Sequence, residues 1–171
     1  MGTVKVAIVD DHEAIRLGFA GMCEKEGLEL VGSAGTVPEL LAQIKHSECQ
    51  VVVTDLSLDD GSLVADNVAQ LISTNSAVLI FSIADKANLM RTALRAGAVA
   101  IVPKSQPMSS LAENIRLAAD GAIINNPETS AMIDADLLFK EASLSNRERE
   151  VLSLYAAGMS LKQVAFQLGI K

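Results

Sequence analysis

At 171 residues, half of them apolar and a fifth charged, the chain holds enough material for one ordinary domain and part of a second, and its composition excludes disordered and fibrous classes. The formal net charge of −7 argues against nucleic-acid binding along the whole length. It is unevenly spread, because residues 1–143 carry 10 basic and 19 acidic side chains, whereas residues 144–171 carry Arg147, Arg149, Lys162 and Lys171 against Glu148 and Glu150.

In chain order, short apolar runs at 4–9, 28–34, 51–55, 77–82 and 99–103 are each followed by residues at helical spacing. Strands alternating with helices imply βαβ units and a parallel sheet, so five βα repeats are expected over residues 4–119. Ile15, Phe19 and Met22 form one helical stripe, Leu40, Leu41 and Ile44 a second, and Leu89, Ala93, Leu94 and Gly97 a third. Asp85 and Gly97 are the expected N-cap and C-cap of the fourth helix. Gly, Asn and Pro gather at 120–130, which places the domain boundary near Gly121 and a linker helix from about Pro127 to Lys140. Ser145 and Glu148 then make a capping box, Gly158 ends that helix and Ser160 opens another, as at the start of a helix-turn-helix. The expected division is 1–120, a linker at 121–143, and a helical unit at 144–171.

No run reaches the roughly 18 apolar residues that span a bilayer, and the opening segment has no signal-peptide pattern, so a cytoplasmic protein without a membrane partner is expected. Cys23 and Cys49 lack any metal or disulfide spacing and read as free structural thiols.

In an open parallel sheet, ligands bind beyond the carboxyl ends of the strands. Those ends bear Asp10 and Asp11 after the first strand, Asp55 at the third, Ser82 at the fourth and Lys104 after the fifth. A lone acid there is usually a solvated cap; five such residues at four strand ends are harder to dismiss. Three carboxylates at one edge repel unless a cation neutralises them, and hard oxygen donors suit Mg2+. Magnesium beside a carboxylate fits phosphoryl transfer, with Asp55 as the nucleophile, Lys104 neutralising one phosphoryl oxygen and the Ser82 hydroxyl donating to another. His12 reads as a helix-start residue, and Asp59, Asp60 and Gly61 as a turn.

These residues resemble the response-regulator receiver family: VAIVDDHEAIR (6–16) its acidic-pair segment, VVVTDLSL (51–58) its phosphoacceptor strand, LIFSIAD (79–85) its hydroxyl strand and AIVPKS (100–105) its lysine segment. The resemblance implies a doubly wound, flavodoxin-like sheet in strand order 2-1-3-4-5. It also implies that Asp11 and Asp55 ligate Mg2+ directly, that Asp10 acts through water, and that the backbone carbonyl of Ser57 completes the protein ligands. The tail from 144 to 171 resembles the opening of the LuxR-type helix-turn-helix, and the pairing resembles the NarL/FixJ subfamily of non-enzymatic transcription regulators. A sensor histidine kinase, promoter DNA and a second copy of the active chain are the partners so implied. The recognition helix would begin just beyond Lys171, so these 171 residues are expected to bind DNA weakly and to be part of a longer protein.

Three departures stand out. Asp59-Asp60 replaces the family's usual Pro-Gly, which adds negative charge near the site. Ile101 occupies the switch position where Tyr or Phe is common. Pro103 precedes Lys104 instead of following it. Ile101 and the acidic loop motivate an alternative, a receiver whose output is independent of phosphate. A third reading, a magnesium-dependent phosphatase, requires a second acid two residues after the nucleophile, where Ser57 stands.

Overall fold

The computed structural model describes residues 2–83, 86–122, 124, 151, 164 and 168. The chain divides into two compact units, residues 1–134 and 135–171. In the second, Val151 and Val164 are helical and Val164 is buried. The linker helix, the Ser145–Glu148 capping box and the Gly158 and Ser160 helix boundaries lie outside the described residues.

The first unit alternates β1 (Lys5–Val9), α1 (Glu13–Glu26), β2 (Glu29–Ala34), α2 (Val37–Ile44), β3 (Val51–Thr54), α3 (Val64–Ile72), β4 (Ala77–Ser82), α4 (Ala87–Arg95), β5 (Ala100–Pro103) and α5 (Met108–Ala119). All strand pairs are parallel and the order is β2-β1-β3-β4-β5, the topology expected from the resemblance. The strands read as continuous apolar runs because helices cover both faces of the sheet. Val6, Ile8, Val51, Val53, Leu79 and Val102 pack with Phe19 and Met22 of α1 and Leu111 and Ile115 of α5. The alternate residues Ala7, Val9, Val52, Val78, Ile80 and Ile101 pack with Leu40 and Ile44 of α2, Val68 and Leu71 of α3, and Met90 and Ala93 of α4. Both cysteines are free and buried.

Local chemistry sets the helix ends. Thr36 caps α2 by accepting from the Glu39 N–H at 3.4 Å, while the Glu39 carboxylate accepts from the Gly35 N–H at 3.2 Å. Gly27 ends α1 at φ 68°, a left-handed conformation that glycine adopts without a Cβ penalty.

The fourth helix differs from expectation. Its core positions are Met90 and Ala93, with Leu89 partly buried, while Leu94 is 36% exposed. Lys86 holds the N-cap position, Ala96 is the C-cap, and Gly97 follows at φ 110°. Asp85 lies outside the described residues. Of the expected stripe, Ala93 is core and Leu89 packs against it; Met90 joins them and Leu94 turns outward, because the three-residue step from Met90 to Ala93 faces the sheet.

Candidate functional site

The sheet order reverses about β1, whose neighbours are β2 and β3, and a crevice forms at the carboxyl ends of the strands at such a switch point. Asp10 and Asp11 follow β1 directly. Asp55 lies one residue past β3, and its N–H donates to the Val9 carbonyl at 2.9 Å, so its backbone stays in register with the sheet. The Lys104 N–H donates to the Ser82 carbonyl at 2.7 Å, which ties the ends of β4 and β5 together.

Lys104 draws the carboxylates together. Its Nζ lies 2.8 Å from Asp10 Oδ2 and 3.1 Å from Asp55 Oδ2, with only 14% of its side chain exposed. The ammonium also stands over the Phe81 ring, 5.8 Å from its centroid. Asp10 is only 1% exposed, and a carboxylate so buried requires partners. Its Oδ1 accepts from the His12 N–H at 2.9 Å, and its backbone carbonyl accepts from the Arg16 guanidinium at 2.6 Å. The Asp55 Oδ1 accepts from the Leu56 N–H at 2.7 Å.

Burial raises the Asp55 carboxyl above its ordinary value, with the charge of Asp10 adding to the effect; Lys104 and the Leu56 N–H oppose this and do not cancel it. Burial pulls Lys104 down, but its bond to Asp10 and the charge of Asp55 outweigh that and leave it raised. Asp11 is pushed up by burial, yet the charge and hydrogen bond of His12, aided by backbone N–H groups including that of Asp59, leave it lowered.

Among the sequence candidates, the structure brings Asp10, Asp11, Asp55 and Lys104 into one cluster. Ser57 is exposed on the loop after Asp55, and Ser82 is buried at the end of β4. Ile101 is buried in the core beside α4. Asp60 forms the expected turn: its Oδ1 accepts from both the Ser62 N–H, at 2.9 Å, and the Ser62 hydroxyl, and Ser62 Oγ in turn accepts from Asn67 at 2.7 Å.

Three contributors were not assigned to the site from sequence. The His12 ring, expected only at a helix start, does sit at the N-cap of α1, but its Nδ1 also lies 2.8 Å from Asp11 Oδ1 and 3.3 Å from Asp10 Oδ1. Arg16 follows His12 by four residues, a spacing that puts both on one side of the helix start. Lys86 donates to the Ser57 hydroxyl at 3.4 Å, a contact across 29 residues that left no local signal.

One ligand atom from each of Asp10, Asp11, His12 and Asp55 lies within 4.8 Å of the others. Three carboxylates at that spacing make an acidic pocket whose hard oxygen donors suit a divalent cation. No helix of the described residues is long and apolar enough to cross a membrane.

Comparison with known proteins agrees with the fold. Residues 6–116 match the family of the response regulator receiver domain, and residues 142–171 match the luxR family of bacterial regulatory proteins. The chain is 30% identical over 168 residues to the transcriptional regulatory protein UhpA of Salmonella typhimurium, covering 98% of this chain and 83% of that protein. It is also 30% identical to the DNA-binding transcriptional activator DevR/DosR of Mycobacterium tuberculosis, over 95% of this chain and 78% of that one. The Salmonella typhimurium RcsB response regulator shares the fold, with a TM-score of 0.68 at 20% identity over 100% of this chain and 85% of that chain.

Proposed function

This chain belongs to the response regulators, a transcriptional regulator with a receiver domain and a LuxR-family region, and on that premise we propose that Asp55 is its phosphoacceptor. The observation behind this reading is the Asp55 carboxylate, 3.1 Å from the Lys104 ammonium and inside the acidic cluster. An Asp55 oxygen attacks phosphorus, forming the acyl phosphate bond as the bond to the donor's imidazole nitrogen or acyl oxygen breaks. The leaving group keeps that electron pair. Lys104 takes up charge on one phosphoryl oxygen and the Ser82 hydroxyl donates to another.

Asp10, Asp11, Asp55 and the Ser57 carbonyl are the groups that would hold Mg2+, which supplies charge neutralisation at the phosphoryl oxygens. Both Asp10 oxygens already accept hydrogen bonds, one from Lys104 and one from the His12 N–H, and this favours a water-mediated role for Asp10. Asp11 is the carboxylate suited to direct ligation, with the exposed His12 ring the group a cation would displace.

The donor in this reading is a sensor histidine kinase. Phosphorylation shifts a two-state surface around β4, β5 and α4, where Ile101, packed in the core with Met90 and Ala93 of α4, holds the switch position. The active form is a homodimer that acts on promoter DNA through the LuxR-type region, with the receiver at 1–120 and the linker at 121–143. The test is labelling by acetyl phosphate with Mg2+: the wild type and Asp59→Ala gain one phosphoryl group, and Asp55→Ala gains none. Continued labelling of the Asp55 variant overturns the assignment.

A further inference from the structure

The acidic cluster is balanced only when a divalent cation joins Lys104, and the loop beside it stays acidic toward an anionic phosphodonor. Three carboxylates, Asp10, Asp11 and Asp55, face one half-buried ammonium, and Lys104 spends its charge on two of them at 2.8 and 3.1 Å. The loop after Asp55 adds Asp59 and Asp60, both exposed. A small acyl phosphate brings further negative charge, and unlike a kinase it has no protein surface with which to hold itself in place.

At the same rim stands a second lysine. Lys86 is exposed at the N-cap of α4, and its Nζ reaches across from the β4–α4 loop to the Ser57 hydroxyl, two residues after Asp55. Where Lys104 meets carboxylates, Lys86 meets a neutral hydroxyl, so its charge stays available to an arriving anion. The ammonium and the first turn of α4 lie together, and both favour negative charge.

We propose that Lys86 captures small anionic phosphodonors of the acyl phosphate class, holding the donor's phosphate at the rim beside Ser57 until the phosphoryl group passes to Asp55. In that transfer the Asp55 oxygen bonds to phosphorus, the donor's acyl C–O–P linkage breaks at the O–P bond, and a free carboxylate leaves with the electron pair. No further reactant is needed. Lys86 is a specificity residue for the donor and takes no part in bond making. The inference rests on Asp55 being the phosphoacceptor.

The experiment measures initial phosphorylation rates of the chain against acetyl phosphate concentration at saturating Mg2+, for wild type, Lys86→Ala, Lys86→Glu and Lys86→Arg. The apparent KM should rise several-fold in Lys86→Ala and further in Lys86→Glu, with the limiting rate nearly unchanged and Lys86→Arg close to wild type. The difference should shrink at about 1 M salt, where screening acts within roughly 3 Å. A merely structural role for Lys86 would not produce that salt dependence or the rescue by arginine. An unchanged KM in Lys86→Glu, a fall in limiting rate alone, or an effect that persists undiminished in high salt overturns the proposal. Absence of labelling in the wild type would instead overturn the Asp55 assignment, so the two failures are distinct.

Discussion

The Lys104 ammonium lies 3.1 Å from Asp55 Oδ2 and is shared with Asp10, so one half-buried cation serves both carboxylates. Replacing Lys104 with Met removes the charge that would meet a phosphoryl oxygen. The expected result is a loss on the order of 10²-fold in the rate of labelling by acetyl phosphate, the scale seen when a donor to a developing negative charge is deleted. A Lys104→Met variant labelled at the wild-type rate would remove Lys104 from the chemistry.

Asp55 also carries a stability consequence. Its folded value is raised above the ordinary 3.8, chiefly by burial, so the fold favours the neutral acid. The sign follows from linkage: its contribution is fully present below 3.8 and is lost as pH rises through the folded value, so ionised Asp55 costs stability at neutral pH. Without Mg2+, Asp55→Asn should therefore raise the receiver's Tm at pH 7. Below pH 3.8 the two melting curves should converge. A lower Tm for the variant at pH 7 would contradict the electrostatic account.

His12 titrates in the opposite sense. The charge of Asp11 raises it above the ordinary 6.5, with the Asp11 hydrogen bond and the Asp10 charge adding to the effect. Stability from its protonated form is present below 6.5 and is lost as pH rises through the folded value. The imidazole resonances should titrate above 6.5 in wild type and move back toward it in Asp11→Asn. Saturating Mg2+ should also lower the midpoint, because cation and imidazolium compete for Asp11. A midpoint indifferent to both changes would detach His12 from the cluster.

Gly32 of β2 faces α2 so closely that a Cβ there would stand 2.7 Å from Leu40 Cδ1 and 2.9 Å from Ile44 Cγ2. Both neighbours are buried core residues, so they have little room to give way. Gly32→Ala should cost about 1–3 kcal/mol by overpacking, measured by denaturant unfolding of the receiver. Gly61→Ala, whose Cβ would meet nothing but whose φ is 74°, separates backbone strain from crowding.

Much of this architecture was legible in the residues. The five strands fell where the apolar runs stood, since a parallel sheet covered on both faces requires apolar side chains in both directions. Asp10, Asp11, Asp55 and Lys104 could be read as a group because each lies at a strand end, and the sheet order brings those ends to one edge. In α4 the spacing picks out Ala93 and Leu89, which do pack on the core, but passes over the buried Met90 and includes Leu94, which is exposed. Helical spacing alone does not say which face meets the sheet.

The sequence by itself determined the order of elements, the acidic edge and the lysine that answers it, because these depend on residue type and on position along the chain. Tertiary structure decided which charges are already committed. Lys104 shares its ammonium between Asp10 and Asp55, His12 turns its ring onto Asp11, and Lys86 reaches Ser57 from another loop. Such pairings depend on distances of a few ångströms between segments far apart in sequence, and local spacing does not encode them.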